Sequence, residues 1–555
     1  MKIVIIGGVA GGASAAARLR RLSEDAEIVI LERGYHVSFA NCGMPYYIGN
    51  IISERKKLLV TPVERFWDRF RVETRIRNEV IQIDRVNKQL VVKDLKSEKT
   101  YNEPYDKLIL SPGAAPSKPP IPGMEHSLVY TLRDLTDCDR IKEKLSKNES
   151  QHIAILGAGF IGLELAENIL HLGLKLTIIQ KMKSILNILD PEMTTPLTKH
   201  LKEKGAQIFF DSTISKIEDF SDRESKSGKQ LKLALSDGTS IIADLLLVGI
   251  GVTPESQLAS EAGLKIGSSG GISVNNQMQT SDPDIYAVGD AVETMNWVTG
   301  QSGVIPLAGP ANRQGRIAAN HIFGQKTSYR GTQGTAIVKI CDWVAAITGT
   351  SESELNRRQI DYHKCYTHSA HHAAYYPGAK MMTIKTLFSP LTRKVLGAQI
   401  IGQEGVDKKI DIFSIAIQMG MTVDQLGEVE LAYAPQFGSA KDPVNMVGFV
   451  ATGILDNTHP QITWEKVLEL KKGTYLLLDV RTKEEFENDH IPDAMHIPVD
   501  ELRNRINEVP NNRLLVTYCQ VGQRGYIATR ILLQKGFSVK NLSGGFKTFE
   551  LYRSN

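Results

Sequence analysis

Two apolar strands each run into a glycine turn and then a helix, and this repeated unit constrains the fold more than any other feature of the chain. Residues 2–6 (KIVII) lead into Gly7-Gly8-Val9-Ala10-Gly11-Gly12, an alanine-rich helical stretch from about Ala13 to Leu22, and a second strand at 27–31 (EIVIL). The same order returns at 152–180 as HIAIL, Gly157-Ala158-Gly159-Phe160-Ile161-Gly162, a helix to about Leu172 and the strand KLTII. A glycine turn between strand and helix lets backbone N–H groups and a helix N-terminus approach a pyrophosphate. Two such units predict two dinucleotide sites. In the first, the G-x-G-x-x-G spacing falls on Gly7, Val9 and Gly12, so the middle glycine is replaced, while the second is complete. Glu32, at the end of the strand after the first turn, suits ribose hydroxyls. Gln180 holds the equivalent place in the second unit and is followed by Lys181 and Lys183. Neither the acid expected for NADH nor an arginine for NADPH is present there, so both stay open, with NADH the first choice.

At 555 residues the chain calls for several domains, and its net charge of +4 argues for no polyanionic partner. Its five cysteines (Cys42, Cys138, Cys341, Cys365, Cys519) are scattered and odd in number, which fits reduced thiols in a cytoplasmic setting better than a disulfide framework. The apolar start breaks into glycine too early for a signal peptide, and no run of 18 apolar residues is present. No membrane, nucleic acid or metal is expected.

A third element, SDPDIYAVGDAVE, places Asp290 just after a strand and a glycine, where a carboxylate can hold a polyol. With the two turns, in this order over residues 1–325, it resembles the flavin-binding motif of the pyridine nucleotide-disulfide oxidoreductases. The resemblance implies FAD and NAD(P)H. It also implies that Asp290 contacts the ribityl chain, and that Gly7, Gly8, Ala10, Gly12, Glu32, Arg33, Val80, Ser111, Gly113 and Ala308 line the flavin site. Gly157, Gly159, Phe160, Ile161, Gly162, Gln180, Lys181 and Gly251 would line the nicotinamide nucleotide site.

Cys42 lies in the stretch SFANCGMPYY, and five residues on, where a dithiol enzyme of this family keeps its second sulfur, stands Tyr47. A thiolate beside a flavin exchanges electrons with it, helped by a helix dipole or a cation that lowers its pKa. A lone sulfur must pair with something outside the chain: a small thiol, a persulfide sulfur, or the oxygen of a sulfenic acid. Arg18 and Arg21 share a helix face and, with Arg20, Arg69 and Arg71, offer a basic mouth for phosphates. The stretch resembles the coenzyme A disulfide reductases, whose single cysteine forms a mixed disulfide with CoA. By that resemblance Ser38, Asn41, Arg18, Arg21, Arg69, Arg71 and Lys441 would hold CoA. Two further stretches, HHAAYYPGA and AYAPQFGSAKDPVN, resemble the family's dimerisation signatures. They imply a homodimer in which Tyr375 (Tyr376 as alternate) and Tyr433 reach the partner's site.

In the tail, Cys519-Gln520-Val521-Gly522-Gln523-Arg524 follows the strand LLVTY and precedes a helix. Such a loop can point N–H groups at a sulfur anion, with Arg524 adding a cation. Together with LLLDVRTKEEFENDHIPDAMHIPVDEL it resembles a rhodanese domain, whose loop cysteine carries a persulfide; Gln520, Gly522 and Arg524 would shape the loop. Asp479 and Arg481 read as structural, and Cys138, Cys341 and Cys365 as packing residues.

The expected fold is therefore α/β. It comprises two Rossmann-like dinucleotide-binding domains (FAD at 1–112 and 246–325, NAD(P)H at 113–245) and an α+β dimerisation domain (326–450). A linker (451–465) and a C-terminal α/β rhodanese domain (466–555) follow. The expected activity is NAD(P)H-dependent reduction of persulfides or polysulfides to sulfide through Cys42, with Cys519 as sulfur carrier. CoA disulfide reduction is the alternative. Oxidase or peroxidase chemistry through a Cys42 sulfenic acid is a further rival, as is a non-catalytic sulfur-relay scaffold.

Overall fold

Lys2–Ile6 and His152–Leu156 are buried on both faces, the pattern of central strands in parallel sheets. A computed structural model describes residues 1–146, 151–220 and 230–553. The chain divides into two compact units, residues 1–183 with 204–334, and residues 184–203 with 335–555.

The first unit holds two parallel five-stranded sheets built alike. One is ordered Ile285–Ala287, Lys107–Leu110, Lys2–Ile6, Glu27–Glu32, Glu73–Ile76. The other runs Gln207–Phe209, Lys175–Ile179, His152–Leu156, Leu245–Val248, Val129–Thr131. Each is accompanied by a three-stranded antiparallel sheet, Asn78–Asp84 to Thr100–Pro104 in one case and Ile214–Phe220 to Ser240–Ala243 in the other. Alternate residues of one strand feed opposite cores. Ile3 and Ile5 pack with Ala15 and Leu19 of the following helix, and Val4 with Leu90 and Val92 of the antiparallel sheet. The helix Ala10–Leu22 lies against Ala308–Ile322 so closely that a Cβ on Gly315 would stand 2.3 Å from the Gly11 carbonyl oxygen.

The second unit carries an antiparallel sheet ordered Ala336–Ile340, Trp343–Gly349, Val395–Gly402, Met381–Phe388, His363–Ala370, with helices Val406–Gln418 and Pro443–Leu455. A second, parallel sheet follows, ordered Gln461–Ile462, Val539–Leu542, Leu514–Tyr518, Tyr475–Asp479, Met495–His496.

Several boundaries differ from the sequence reading. Residues 326–334, expected in the dimerisation domain, stay with the first unit, and Leu245–Val248, expected to be split at 246, is one strand of that unit's second parallel sheet. The helix Pro191–Glu203, expected inside the 113–245 domain, belongs to the second unit, because Asp190 and Glu192 at its start pair with the buried Lys385. The stretch 451–465, expected as a linker, is mostly structured. Its first five residues close a helix, Gln461–Ile462 join the last sheet, and Trp464 opens another helix. Among the described residues no helix is long and apolar enough to cross a membrane.

Candidate active site

The glycine turns are built by close contacts. Gly7 (φ +90°) and Gly157 (φ +100°) occupy the left-handed region, and Cβ atoms on them would lie 2.1 Å from the Ser111 and 2.6 Å from the Gly249 carbonyl oxygens. On Gly12 and Gly162 a Cβ would fall 1.9 and 2.1 Å from the carbonyl oxygens of Gly7 and Gly157, so each third glycine is what lets the helix close on its strand. Gly159 is different. A Cβ there would meet nothing nearer than 4.0 Å, so it faces open space.

Glu32 and Gln180 prove to be structural counterparts. The Gly8 N–H donates to Glu32 Oε2 at 2.9 Å and the Ala158 N–H to Gln180 Oε1 at 3.2 Å. Glu32 Oε1 also accepts from the Gly34 N–H at 2.7 Å. Gln180 is buried and Lys181 is exposed. Arg33 is held by Glu255 at 2.5 Å, to which Arg133 also donates twice at 2.8 Å. Asp290 sits in the turn Gly289–Ala291, where burial alone pushes its carboxyl up. The Gly289 N–H donates to Gln314 Oε1 of the helix headed by Ala308. Ser111 donates its N–H to the Ile6 carbonyl, Val80 lies in the core, and Gly113 (φ +75°) and Gly251 (φ +117°) face open space. The open space at Gly159, the Glu32 carboxylate held at the first turn and the desolvated Asp290 fit a pair of dinucleotides.

Cys42 is an exposed free thiol in the turn Asn41–Gly43 that enters the short helix Met44–Ile48. Ser38, in the left-handed region at φ 47°, donates its N–H to the Gly8 carbonyl at 2.8 Å and so ties this loop to the first glycine turn. Of the helix dipole or cation expected to lower the Cys42 pKa, no cation stands among the groups of the described residues that shift it. Desolvation pushes the Cys42 thiol up, Glu164 and Asp290 push in the same direction, and only a hydrogen bond from its own backbone N–H opposes them. Glu164 lies on the helix Phe160–His171 and hydrogen-bonds the Tyr46 hydroxyl. Burial, aided by Glu167, raises its carboxyl to about 7. Tyr47, in the place of a second cysteine, has Lys142 Nζ 4.0 Å from its ring centroid.

Of the arginines, Arg18 donates to Asn320 at 2.7 Å and Gln325 at 3.3 Å, Arg21 lies over Phe70, and Arg71 lies over Trp67. Arg69 is in the last turn of Val63–Phe70. Arg20 is not part of a basic mouth. It is buried and gives its donors to the carbonyls of Ser23, Glu24, Ala26, Phe70 and Arg71, holding the helix end in place. Burial and the nearby charges of Arg316 and Arg21 push the Arg18 guanidinium down, so Arg316 completes the basic cluster. Sequence missed Arg316 because it lies on a helix about 300 residues away in the chain.

In the second unit the hydroxyls of Tyr375 and Tyr433 meet at 2.9 Å, both side chains being exposed, which favours Tyr375 over Tyr376 as the partner of Tyr433. Lys441 is exposed beside the buried Lys409–Asp442 ion pair. Cys519 is buried, and its sulfur accepts the Gly522 N–H at 3.2 Å. Gly522 takes φ 100° to turn the loop into the helix Gln523–Gln534. Arg524 clasps Glu485 through two bonds of 2.7 Å and also bonds the Cys519 sulfur. Gln520 accepts from Arg481, whose fork is closed on Asp479 in the domain interior. Cys138 and Cys365 are fully buried, which pushes each thiol up to about 12.

Paired glycine turns on parallel sheets, with an exposed thiol tied to the first of them, define a two-nucleotide redox protein. Residues 1–315 match the pyridine nucleotide-disulphide oxidoreductase family, residues 335–442 its dimerisation domain, and residues 463–551 the rhodanese-like domain. The chain belongs to the pyridine nucleotide-disulphide oxidoreductases and is an oxidoreductase with a C-terminal rhodanese domain. It is 35% identical to the coenzyme A disulfide reductase of Staphylococcus aureus (strain JH9) over 451 residues, 81% of this chain and 99% of that one. The crystal structure of reduced Bacillus anthracis CoADR-RHD superposes with a TM-score of 0.95 at 43% identity, covering 99% of this chain and 98% of that one. An NAD-dependent persulfide reductase from A. fulgidus superposes with a TM-score of 0.91 at 36% identity, covering 99% and 100%.

Proposed function

We propose that this oxidoreductase uses NAD(P)H and FAD to reduce a persulfide or polysulfide to sulfide at Cys42, with CoA as the thiol that fits its basic cluster. The observation that carries this reading is the pairing of two free sulfurs. Cys42 has a tyrosine where a second cysteine would make a disulfide, and Cys519 lies on a separate loop shaped for a sulfur anion. Bound FAD and NAD(P)H supply the electron pair. The Cys42 thiolate attacks the outer sulfur of R–S–SH, the S–S bond breaks, and RS⁻ leaves with Cys42 carrying the persulfide. Two electrons then cleave the Cys42 S–S bond, HS⁻ departs, and the thiolate is regenerated. The released thiolates take up protons, one supplied by NAD(P)H oxidation. Tyr375 and Tyr433 of a partner subunit in a homodimer would donate to the leaving thiolate. The basic cluster of Arg18, Arg21 and Arg316, with Arg69 and Arg71, would take the CoA phosphates, and Ser38 and Asn41 its thiol end.

Anaerobic NADH oxidation with CoA persulfide, CoA disulfide and polysulfide in parallel, with sulfide recorded, tests the reading. Fast, sulfide-producing turnover that Cys42→Ser abolishes is the expected result. Turnover confined to CoA disulfide would make the chain a thiol-redox enzyme instead.

A further inference from the structure

Lys385 is fully buried, and its ammonium contacts three carboxylates: Asp190 at 2.7 Å, Glu192 at 2.5 Å and Glu352 at 2.6 Å. The cluster does not stop there. Glu352 also accepts from Lys364 and from the Tyr362 hydroxyl, and Lys364 Nζ bridges at 2.6 Å to Glu465. Tyr366 donates to Glu192 at 2.8 Å and meets the hydroxyl of Tyr552, which in turn donates to Glu465. Asp190 is satisfied on its other side by Gln399 and by the N–H groups of Glu352 and Ser353. Lys364, Tyr366 and Lys385 lie on the antiparallel sheet, whereas Glu465 and Tyr552 lie at the two ends of the rhodanese domain. The Lys385 end is buried, where charges persist only when every partner is in place, while Glu465 at the rhodanese end is partly exposed.

The same interface is closed at a second point. His368 of the sheet bonds Thr383 and Thr548 at 2.9 Å, the Tyr366 N–H donates to Ser543, and a Cβ on Gly544 would stand 2.9 Å from His368 Nε2. The five residues between the helix Pro443–Leu455 and the strand Gln461–Ile462 are also tied down. Asp456 pairs with Arg393, the Asn457 N–H donates to the Ile454 carbonyl, and Arg530 donates to the Thr458 carbonyl. The His459 N–H donates to the Gly453 carbonyl, and the Pro460 carbonyl accepts from the Asn541 N–H.

We propose that the rhodanese domain is a docked carrier, locked to the antiparallel sheet by the Lys385–Glu352–Lys364–Glu465–Tyr552 network, and that residues 456–460 are a splice rather than a hinge. Cys519 then stays in one place on the second unit. This goes beyond the proposed function and holds whichever sulfur compound Cys42 reduces.

The test uses the full-length, FAD-loaded protein and the double variant Glu465→Gln/Tyr552→Phe, which cuts the lock on the rhodanese side without touching either cysteine site. Amide hydrogen exchange is followed at Asn457, His459 and Asn541, with calorimetric melting in parallel. In the native protein these amides should be protected and the rhodanese domain should melt with the antiparallel sheet. In the double variant their exchange should speed up by at least about tenfold and a separate, earlier transition should appear. Flavin content and flavin reduction by NADH should stay unchanged. Fast exchange at 456–460 in the native protein would overturn the proposal, and so would a double variant that keeps native protection and a single transition.

Discussion

At the scale of single residues, the charge around Cys42 has the sign opposite to the one usually sought beside a reactive thiol. Desolvation, with Glu164 and Asp290 adding to it, disfavours the thiolate. Glu164 itself titrates near 7, so its negative charge is present only above that pH. Glu164→Gln removes that charge, and the Cys42 thiol pKa should then fall. Alkylation of Cys42 by iodoacetamide, followed by mass spectrometry, should therefore run several-fold faster in the variant above pH 7 and equally fast below it, where native Glu164 is already neutral. Equal rates across the whole range would show that Glu164 has no hold on the sulfur.

Among the elements, the strand–turn–helix units depend on positions where a single methyl group has no room. Gly12→Ala would place a Cβ 1.9 Å from the Gly7 carbonyl oxygen, so the first turn must open. The purified variant should retain well under half of the native flavin, read from its visible absorbance against protein. The Cys519 loop depends on a different kind of contact. Asn541 donates to the Gly522 carbonyl at 3.0 Å and to the ring of His459, which burial, aided by Arg530, holds to a pKa of about 4. The unfolded ring titrates near 6.5, so between those values the unfolded chain binds more protons and stability rises with pH. The rhodanese domain should keep this contribution above about pH 6.5 and lose it progressively towards pH 4. Melting temperatures across that window should fall with pH, and less steeply in His459→Gln.

For the whole molecule, the second unit carries an ionic cluster centred on the buried Lys385. Lys385→Met leaves the buried Asp190 and Glu192 without their cation and Glu352 with Lys364 alone. Removing one partner from a buried ionic cluster costs about 3–5 kcal/mol. For a unit of this size that amounts to a fall on the order of 10 °C in the melting of the second unit. Calorimetry of the full chain checks this, and a variant melting within a degree or two of native would show that the cluster carries no net stability. Glu352, held at about 2 chiefly by the two lysines against its burial, marks the acid limit. Its contribution is complete above its ordinary pKa near 4.5 and disappears as pH falls towards 2.

The order of the glycine turns, the Asp290 turn and the two cysteine loops was legible in the sequence, because each is a local pattern in which strand period, turn chemistry and helix start follow one another within about 30 residues. Glu32 and Gln180 were legible for the same reason, and their shared bond to the turn is the structural echo of that spacing. Contacts between distant segments were not legible. Arg20 reads like its neighbours Arg18 and Arg21, yet it is turned inward to cap carbonyls, since helix rotation against the core that includes Val72 decides which side faces inward. Glu164 looks like an ordinary helical acid until the helix packs against the Cys42 turn. Lys385 sits in an apolar strand with no hint that three acids, two of them almost 200 residues earlier, will surround it. The sequence by itself determined which chemistry this chain carries, because nucleotide turns and cysteine loops are short-range. Only the tertiary structure decided the charge at Cys42 and the anchoring of the rhodanese domain, because electrostatics in a low-dielectric interior depends on what folding brings within a few ångströms.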